Sequence, residues 1–296
     1  MRTNRSSFYT MWSLAIVLCV LLSVFALFFA SCAKSDGTRD RGEDKTLAVN
    51  NEAEPSPGPE QPEDPDQSGE PEQNVDGPGE AEPSPEPVSG ARLAETADAG
   101  AEYLDKLIFL GDSTTYGLKA YEVLSGGAQT TQVWTPSNGT LTLSYQSIAT
   151  IVYPETGEEI PITDAVERKK PEYMVLTLGV NGVSFMDEEN FVREYTDLVK
   201  RIQETSPDTK IILNSIYPVA ATYEYQKDIN NDKIRAANVW IERVAEDTGV
   251  RFLNTFEVLV GADGYLPESY HNGDGIHMNT TGFNIILDYI KTHEYK

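Results

Sequence analysis

Apolar positions follow three different regimes along this chain, and each predicts a different kind of structure. From Met11 to Ala30 the residues are uncharged and mostly Leu, Val, Phe, Ala and Ile. A run of about 20 such residues is long enough to cross a bilayer as a helix. From residue 33 to about residue 94 neither a helical nor a strand period is present. After that, short apolar runs alternate with amphipathic stretches, the pattern of a packed domain.

In that last region four runs predict buried strands. Lys106 to Leu110 ends at Gly111, Tyr173 to Leu178 ends at Gly179, Lys210 to Ile216 ends before Pro218, and the fourth covers Val250 to Leu253. Between the second and third, Phe191, Tyr195, Leu198, Val199 and Ile202 share one helical face, and Asp187, Glu188 and Glu189 suit its positive end. Between the third and fourth, Ile234, Ala237, Ile241, Val244 and Ala245 do the same, and Gly249 stops that helix. Thr114 to Leu124 fits a helix after the first strand, and Phe283, Ile286, Leu287 and Ile290 mark a last one. Strands alternating with amphipathic helices predict an α/β fold, with a mostly parallel sheet covered on both faces. Residues 131–162 break the rhythm. Thr140 to Leu143, and Ile148 to Ile162 around Pro154–Gly157, predict a β-hairpin insertion near the strand ends.

Composition changes the picture at the N-terminal end. Ten of the 17 prolines and 12 acidic residues fall within residues 51–90, which hold no Lys or Arg. Such a segment buries too little apolar surface to offset its ordering entropy, so residues 33–94 are expected to form a disordered, acidic, Pro-rich linker that its like charge keeps extended. Arg2 and Arg5 precede the apolar run, which favours keeping that end in the cytoplasm and the rest outside. The run closes on Phe29-Ala30-Ser31-Cys32, which resembles a bacterial lipobox, with Phe29 where Leu is usual. Residues 1–32 therefore have two readings: a lipoprotein signal ending in lipidation of Cys32, or an uncleaved signal anchor. Both place the domain on the extracytoplasmic face of the cell membrane, with the N-terminus as the membrane contact.

Charge and residue counts exclude several classes. The net charge of −24 argues against nucleic acid as a partner, because that partner demands a basic footprint. Two cysteines exclude a disulfide framework. Three histidines, with no pair at ligand spacing, argue against a metal site. No cofactor motif is present.

Candidate chemistry sits at three strand ends. Gly111-Asp112-Ser113 follows the first strand, and a Ser at a strand-to-helix junction suits a nucleophile whose transition state carries an oxyanion. Alone, Gly-Asp-Ser is a weak signal that reads more readily as an ordinary helix cap. Gly179-Val180-Asn181-Gly182 follows the second strand; Asn181 can aim an amide N–H at the same point or can simply occupy a turn. Asp274-Gly275-Ile276-His277 precedes the last helix. This spacing lets the Asp orient one ring nitrogen of His277 and leaves the other free to take a proton. His271 is the rival base. It has no acid in that context, although Glu268 lies three residues before it.

Together these elements, in this order, resemble the SGNH/GDSL hydrolase family over roughly residues 105–293. The resemblance implies a flavodoxin-like three-layer α/β/α sandwich for residues 95–296 and a serine esterase mechanism without a cofactor. It implies Ser113 as nucleophile, His277 as general base and acid, and Asp274 as the group that orients it. Asn181 and the Ser113 N–H would serve the oxyanion. The family's oxyanion glycine has no clean match; Gly139 is the best placed, ahead of Gly126, Gly127 and Gly157. Gly182 stands where the family often has Asp. From the tethered location the expected partner is an acylated glycan, with removal of O-acetyl or other O-acyl groups. A lipase or thioesterase acting on acyl chains and a non-catalytic carbohydrate-binding lipoprotein are the alternatives. Tyr116, Trp134, Tyr145, Tyr217 and Tyr265 are candidates for stacking on sugars.

Overall fold

The structure is a computed structural model and describes residues 90–296. The expectations for residues 1–32, for Cys32 and for most of the linker fall outside the described residues. The packed chain begins earlier than the composition break near residue 95. Leu93 N–H donates to the Phe252 carbonyl at 2.8 Å and Phe252 N–H to that of Ala91 at 2.9 Å, and Ala91 and Leu93 are buried.

In chain order the elements are α1 (Gly100–Leu104), β1 (Leu107–Gly111), α2 (Ser113–Ala120), β2 (Val133–Trp134), β3 (Thr150–Val152), β4 (Glu159–Pro161), α3 (Ile162–Lys169), β5 (Tyr173–Thr177), α4 (Glu188–Thr205), β6 (Lys210–Asn214), α5 (Asn231–Thr248), β7 (Arg251–Leu253), α6 (Phe256–Leu259) and α7 (Thr280–Lys291). Five strands form one parallel sheet in the order β2-β1-β5-β6-β7. Along the chain this is the second, first, third, fourth and fifth strand of the sheet, the flavodoxin-like order.

The two-residue period of the strands sorts their side chains between two apolar layers. Ile108, Leu110, Met174, Leu176, Ile211 and Leu213 join the layer that holds the faces of α3, α4 and α5. Leu107, Phe109, Tyr173, Val175, Ile212 and Leu253 join the layer with Tyr103 of α1, Leu118 of α2 and the Phe283–Ile290 face of α7. All five residues expected on the inner face of α4 are fully buried, and so are all five of α5. Gly249 ends α5 in the left-handed conformation, and the side chain of Asp187 caps α4.

The expectation for residues 131–162 is half right. β3 and β4 form the antiparallel hairpin, with Ile151 opposite Ile160. Val133–Trp134, however, is the edge strand of the main sheet, paired with Phe109 and Leu110. It is too short to show a period. Thr140 to Leu143 forms no strand. Leu141 and Leu143 are buried beneath a loop and a single 3-10 turn, so the alternation is one of burial without a ladder. Ile162–Lys169 forms α3, which the apolar pattern did not indicate.

Candidate active site

The strand order reverses between β1 and β5, and a crevice opens there at the carboxyl ends of the strands. β1 enters it through Gly111. A Cβ at that position would stand 2.0 Å from Thr115 Oγ1 and 2.7 Å from the Thr177 carbonyl oxygen, so only glycine lets the chain turn this closely into α2. Asp112 is extended and caps the helix: its Oδ1 accepts from Thr114 N–H at 3.0 Å and from Thr114 Oγ1 at 2.7 Å. Ser113 is thereby fixed at the first helical position. Its N–H belongs to the first turn, which has no intrahelical acceptor, and lies at the positive end of the helix.

The loop before α7 supplies the other two groups. His277 Nε2 lies 2.9 Å from Ser113 Oγ, and its Nδ1 lies 2.7 Å from Asp274 Oδ2. The second oxygen of Asp274 accepts from the N–H groups of Ile276 and His277, both at 2.9 Å. Partial burial pushes the Asp274 carboxyl up, but these two N–H donors and the imidazole outweigh it and hold the pKa below the usual carboxylate value. A carboxylate on Nδ1 fixes the tautomer that leaves Nε2 free to accept the serine proton. The structure thus brings together the three residues that the spacing singled out.

His271 is not available as a base. It is buried, and its Nδ1 accepts from the N–H groups of Gly273 and Gly275 at 3.0 and 3.1 Å. Its proton is therefore on Nε2. Glu268 Oε2 lies 3.2 Å from that nitrogen but makes no aligned hydrogen bond with it. Asn272 N–H donates to the His277 carbonyl at 3.0 Å and Asn279 Nδ2 to that of His271 at 2.9 Å. His271 is the internal anchor of the loop that carries Asp274 and His277.

The oxyanion donors implied by the resemblance are less open than expected. Asn181 Nδ2 donates to Asp112 Oδ2 at 2.9 Å and more loosely to the Leu141 carbonyl at 3.4 Å. One N–H of the amide is anchored and the other is weakly held. Gly139 is beside the nucleophile, since a Cβ there would stand 3.7 Å from Ser113 Cβ. Its N–H, however, closes a turn onto the Pro136 carbonyl at 3.0 Å and is not a free donor. Asp112 is the working residue that sequence reasoning missed. Burial drives its carboxyl up to about 6, against the hydrogen bonds from Thr114 and the field of His277. Its placement gave no signal, because Asn181 is 69 residues away.

Of the aromatic candidates, Trp134 and Tyr217 are core residues. Trp134 packs edge-on to Tyr153, so neither is a stacking surface. Tyr116, Tyr145 and Tyr265 are exposed. Gly139 lines a cleft of about 480 Å³ with Tyr116, Lys119, Pro136, Asn138 and Pro154. The same Pro136–Asn138 turn borders a second cleft of about 390 Å³, with Thr140, Thr142, Tyr145, Ile148 and Glu159. Among the described residues no group of three or more His, Cys, Asp or Glu could hold a metal ion. No helix among them is long and apolar enough to cross a membrane.

No curated protein matches the chain. Several solved structures resemble it at low identity. A GDSL-like lipase from Bacteroides thetaiotaomicron is 20% identical over 64% of this chain and 87% of its own, with a TM-score of 0.45. An acetyl xylan esterase is 17% identical over 62% and 96%, with a TM-score of 0.46. The periplasmic domain of a lipopolysaccharide acetyltransferase from Salmonella ser. Paratyphi A is 18% identical over 62% and 82%, with a TM-score of 0.43. The family model of the GDSL-like lipase/acylhydrolase family matches residues 109–285, a span that contains Ser113, Asn181, Asp274 and His277, and the chain belongs to that family of serine ester hydrolases.

Proposed function

We propose that this chain is an extracytoplasmic esterase that removes O-acyl groups, acetyl foremost, from cell-wall or other glycans, tethered to the membrane through residues 1–32. The observation that carries the catalytic part is the unbroken sequence of contacts from Asp274 through His277 to Ser113 Oγ. In this reading Ser113 Oγ attacks the acyl carbon while His277 Nε2 takes its proton. The tetrahedral oxyanion is met by the Ser113 N–H and by the Asn181 N–H that now rests on Leu141. The intermediate collapses as His277 returns the proton to the departing sugar oxygen. Water, deprotonated by the same imidazole, then attacks the acyl-enzyme and releases the carboxylic acid and free Ser113.

The clefts support a glycan over a long acyl chain. Both are lined largely by Ser, Thr, Asn, Pro and exposed Tyr side chains, which suits hydroxyl-rich sugar rings. The location rests on the apolar run before Cys32 and on Arg2 and Arg5. The test is hydrolysis by the full-length chain of p-nitrophenyl esters of two-carbon and long-chain acids, and of O-acetylated glycans. Release of acetate from glycan, with a short-chain preference, is expected. A preference for long acyl chains would replace this reading with a lipase.

A further inference from the structure

Lys119 stands in the wall of the cleft beside Ser113 and takes no part in the chemistry of the ester. We propose that Lys119 and Tyr116 form a subsite for an acidic sugar, with Lys119 pairing its carboxylate, so that the substrate is an O-acylated glycan bearing carboxylates. This rests on the esterase reading for its acyl group and adds the charge of the polymer.

Placement is the first argument. α2 runs from Ser113 through Tyr116 to Lys119, which sets the lysine about 9 Å along the helix axis from the nucleophile. Gly139 packs against Ser113 and also lines the cleft, so the cleft adjoins the nucleophile across this one residue. A sugar next to the acylated one therefore lies within reach of Lys119.

Charge is the second. Residues 91–296 hold 31 acidic and 17 basic side chains, a surface that repels polyanions as a whole. Among the described residues lining this cleft, Lys119 alone is charged. Lys106, Lys169 and Lys291 each pair with a carboxylate; Lys119 pairs with none among the described residues, although it is half-buried. With no carboxylate of this chain on it, its ammonium is available to a carboxylate of the ligand. Tyr116, on the same helix and 49% exposed, presents a ring on which the sugar can lie.

The experiment separates the subsite from the catalysis. The full-length Ser113→Ala chain, which cannot turn over ester, is titrated calorimetrically with an oligogalacturonate and with its methyl ester. The ester caps each carboxyl with a methyl group and so removes its charge. The free acid is expected to bind about fivefold tighter at low salt, the scale of one partly exposed ion pair. The preference should vanish in Lys119→Met, persist in Lys119→Arg and shrink in 0.5 M salt, where the Debye length is about sevenfold shorter than at 0.01 M. Equal binding of acid and methyl ester, no binding of either, or a preference that survives Lys119→Met would each overturn the subsite. Failure of the esterase reading shows instead in the wild-type chain, as absence of acetate release from any ester.

Discussion

The two oxygens of Asp112 serve different residues: one caps α2 through Thr114 and the other holds the amide of Asn181. Replacing Asp112 by Asn keeps an acceptor for the cap but can turn an N–H toward the Asn181 N–H, so the amide is displaced from the oxyanion. The expected loss in kcat approaches that for removing one oxyanion donor, roughly 10²–10³, with KM little changed. Asn181→Ala should show the same loss, and the double variant should add little to either. The pH dependence has a definite sign. The pKa of Asp112 rises on folding from its ordinary 3.8 to about 6. Its contribution to stability is therefore full below pH 3.8 and is lost as pH rises through about 6. Thermal melts of the wild type should show this fall between about pH 4 and pH 6, and Asp112→Asn should lack it. Ser113→Ala and His277→Ala should each lower turnover by on the order of 10⁴–10⁶ without changing the melt by much. Turnover within tenfold of wild type in the serine variant would exclude it as the nucleophile.

At the scale of elements, the loop before α7 depends on a residue that does no chemistry. His271 Nδ1 holds the N–H groups of Gly273 and Gly275, and Asp274 lies between them. His271→Phe leaves the buried Gly275 N–H without its acceptor, which costs about 1–3 kcal/mol, and releases the N–H of the exposed Gly273 to water. It should lower kcat through loss of the Asp274–His277 geometry, by up to the 10⁴-fold seen when a triad carboxylate fails to hold its histidine. His271→Asn, whose side-chain oxygen can still accept, should recover part of that rate; equal loss in both variants would show general unfolding rather than loss of the acceptor. The distinction between His277 and His271 was legible in the sequence, because only His277 has an Asp with a Gly between at a spacing that closes a ring. The anchoring role was not legible, since it depends on backbone N–H groups that curl back onto the imidazole. The same division holds for the elements. The two 18-residue helices α4 and α5 repeat their apolar face five times and were readable. β2 has two residues and owes its place to Leu110 and Phe109 beside it. α3 follows directly from the hairpin at Pro161, where no polar break separates one period from the next. Oxyanion donors are a matter of where each N–H points, so Gly139 could be placed by order along the chain while its bond to Pro136 could not.

For the whole molecule, the charge pattern and the apolar run together define the remaining prediction. Among the described residues the chain already pairs with Phe252 at Ala91, and the acidic residues 51–90 precede it in sequence. If residues 11–30 anchor the chain, the full-length protein should sediment with membranes and a chain starting at Gly90 should not. Cys32→Ala distinguishes the two anchors. A lipoprotein loses lipidation and processing with this change, and its wild-type membrane form has the mass of a diacylglyceryl-modified chain beginning at Cys32. A signal anchor is indifferent to the change and keeps residues 1–31 unmodified. One acyl chain binds a membrane only marginally, so stable anchoring needs two, and the two chains of a diacylglyceryl group meet that need without help from the apolar run. An unmodified wild-type chain that retains residues 1–31 would sink the lipoprotein model, and a full-length chain recovered entirely in the supernatant would sink both.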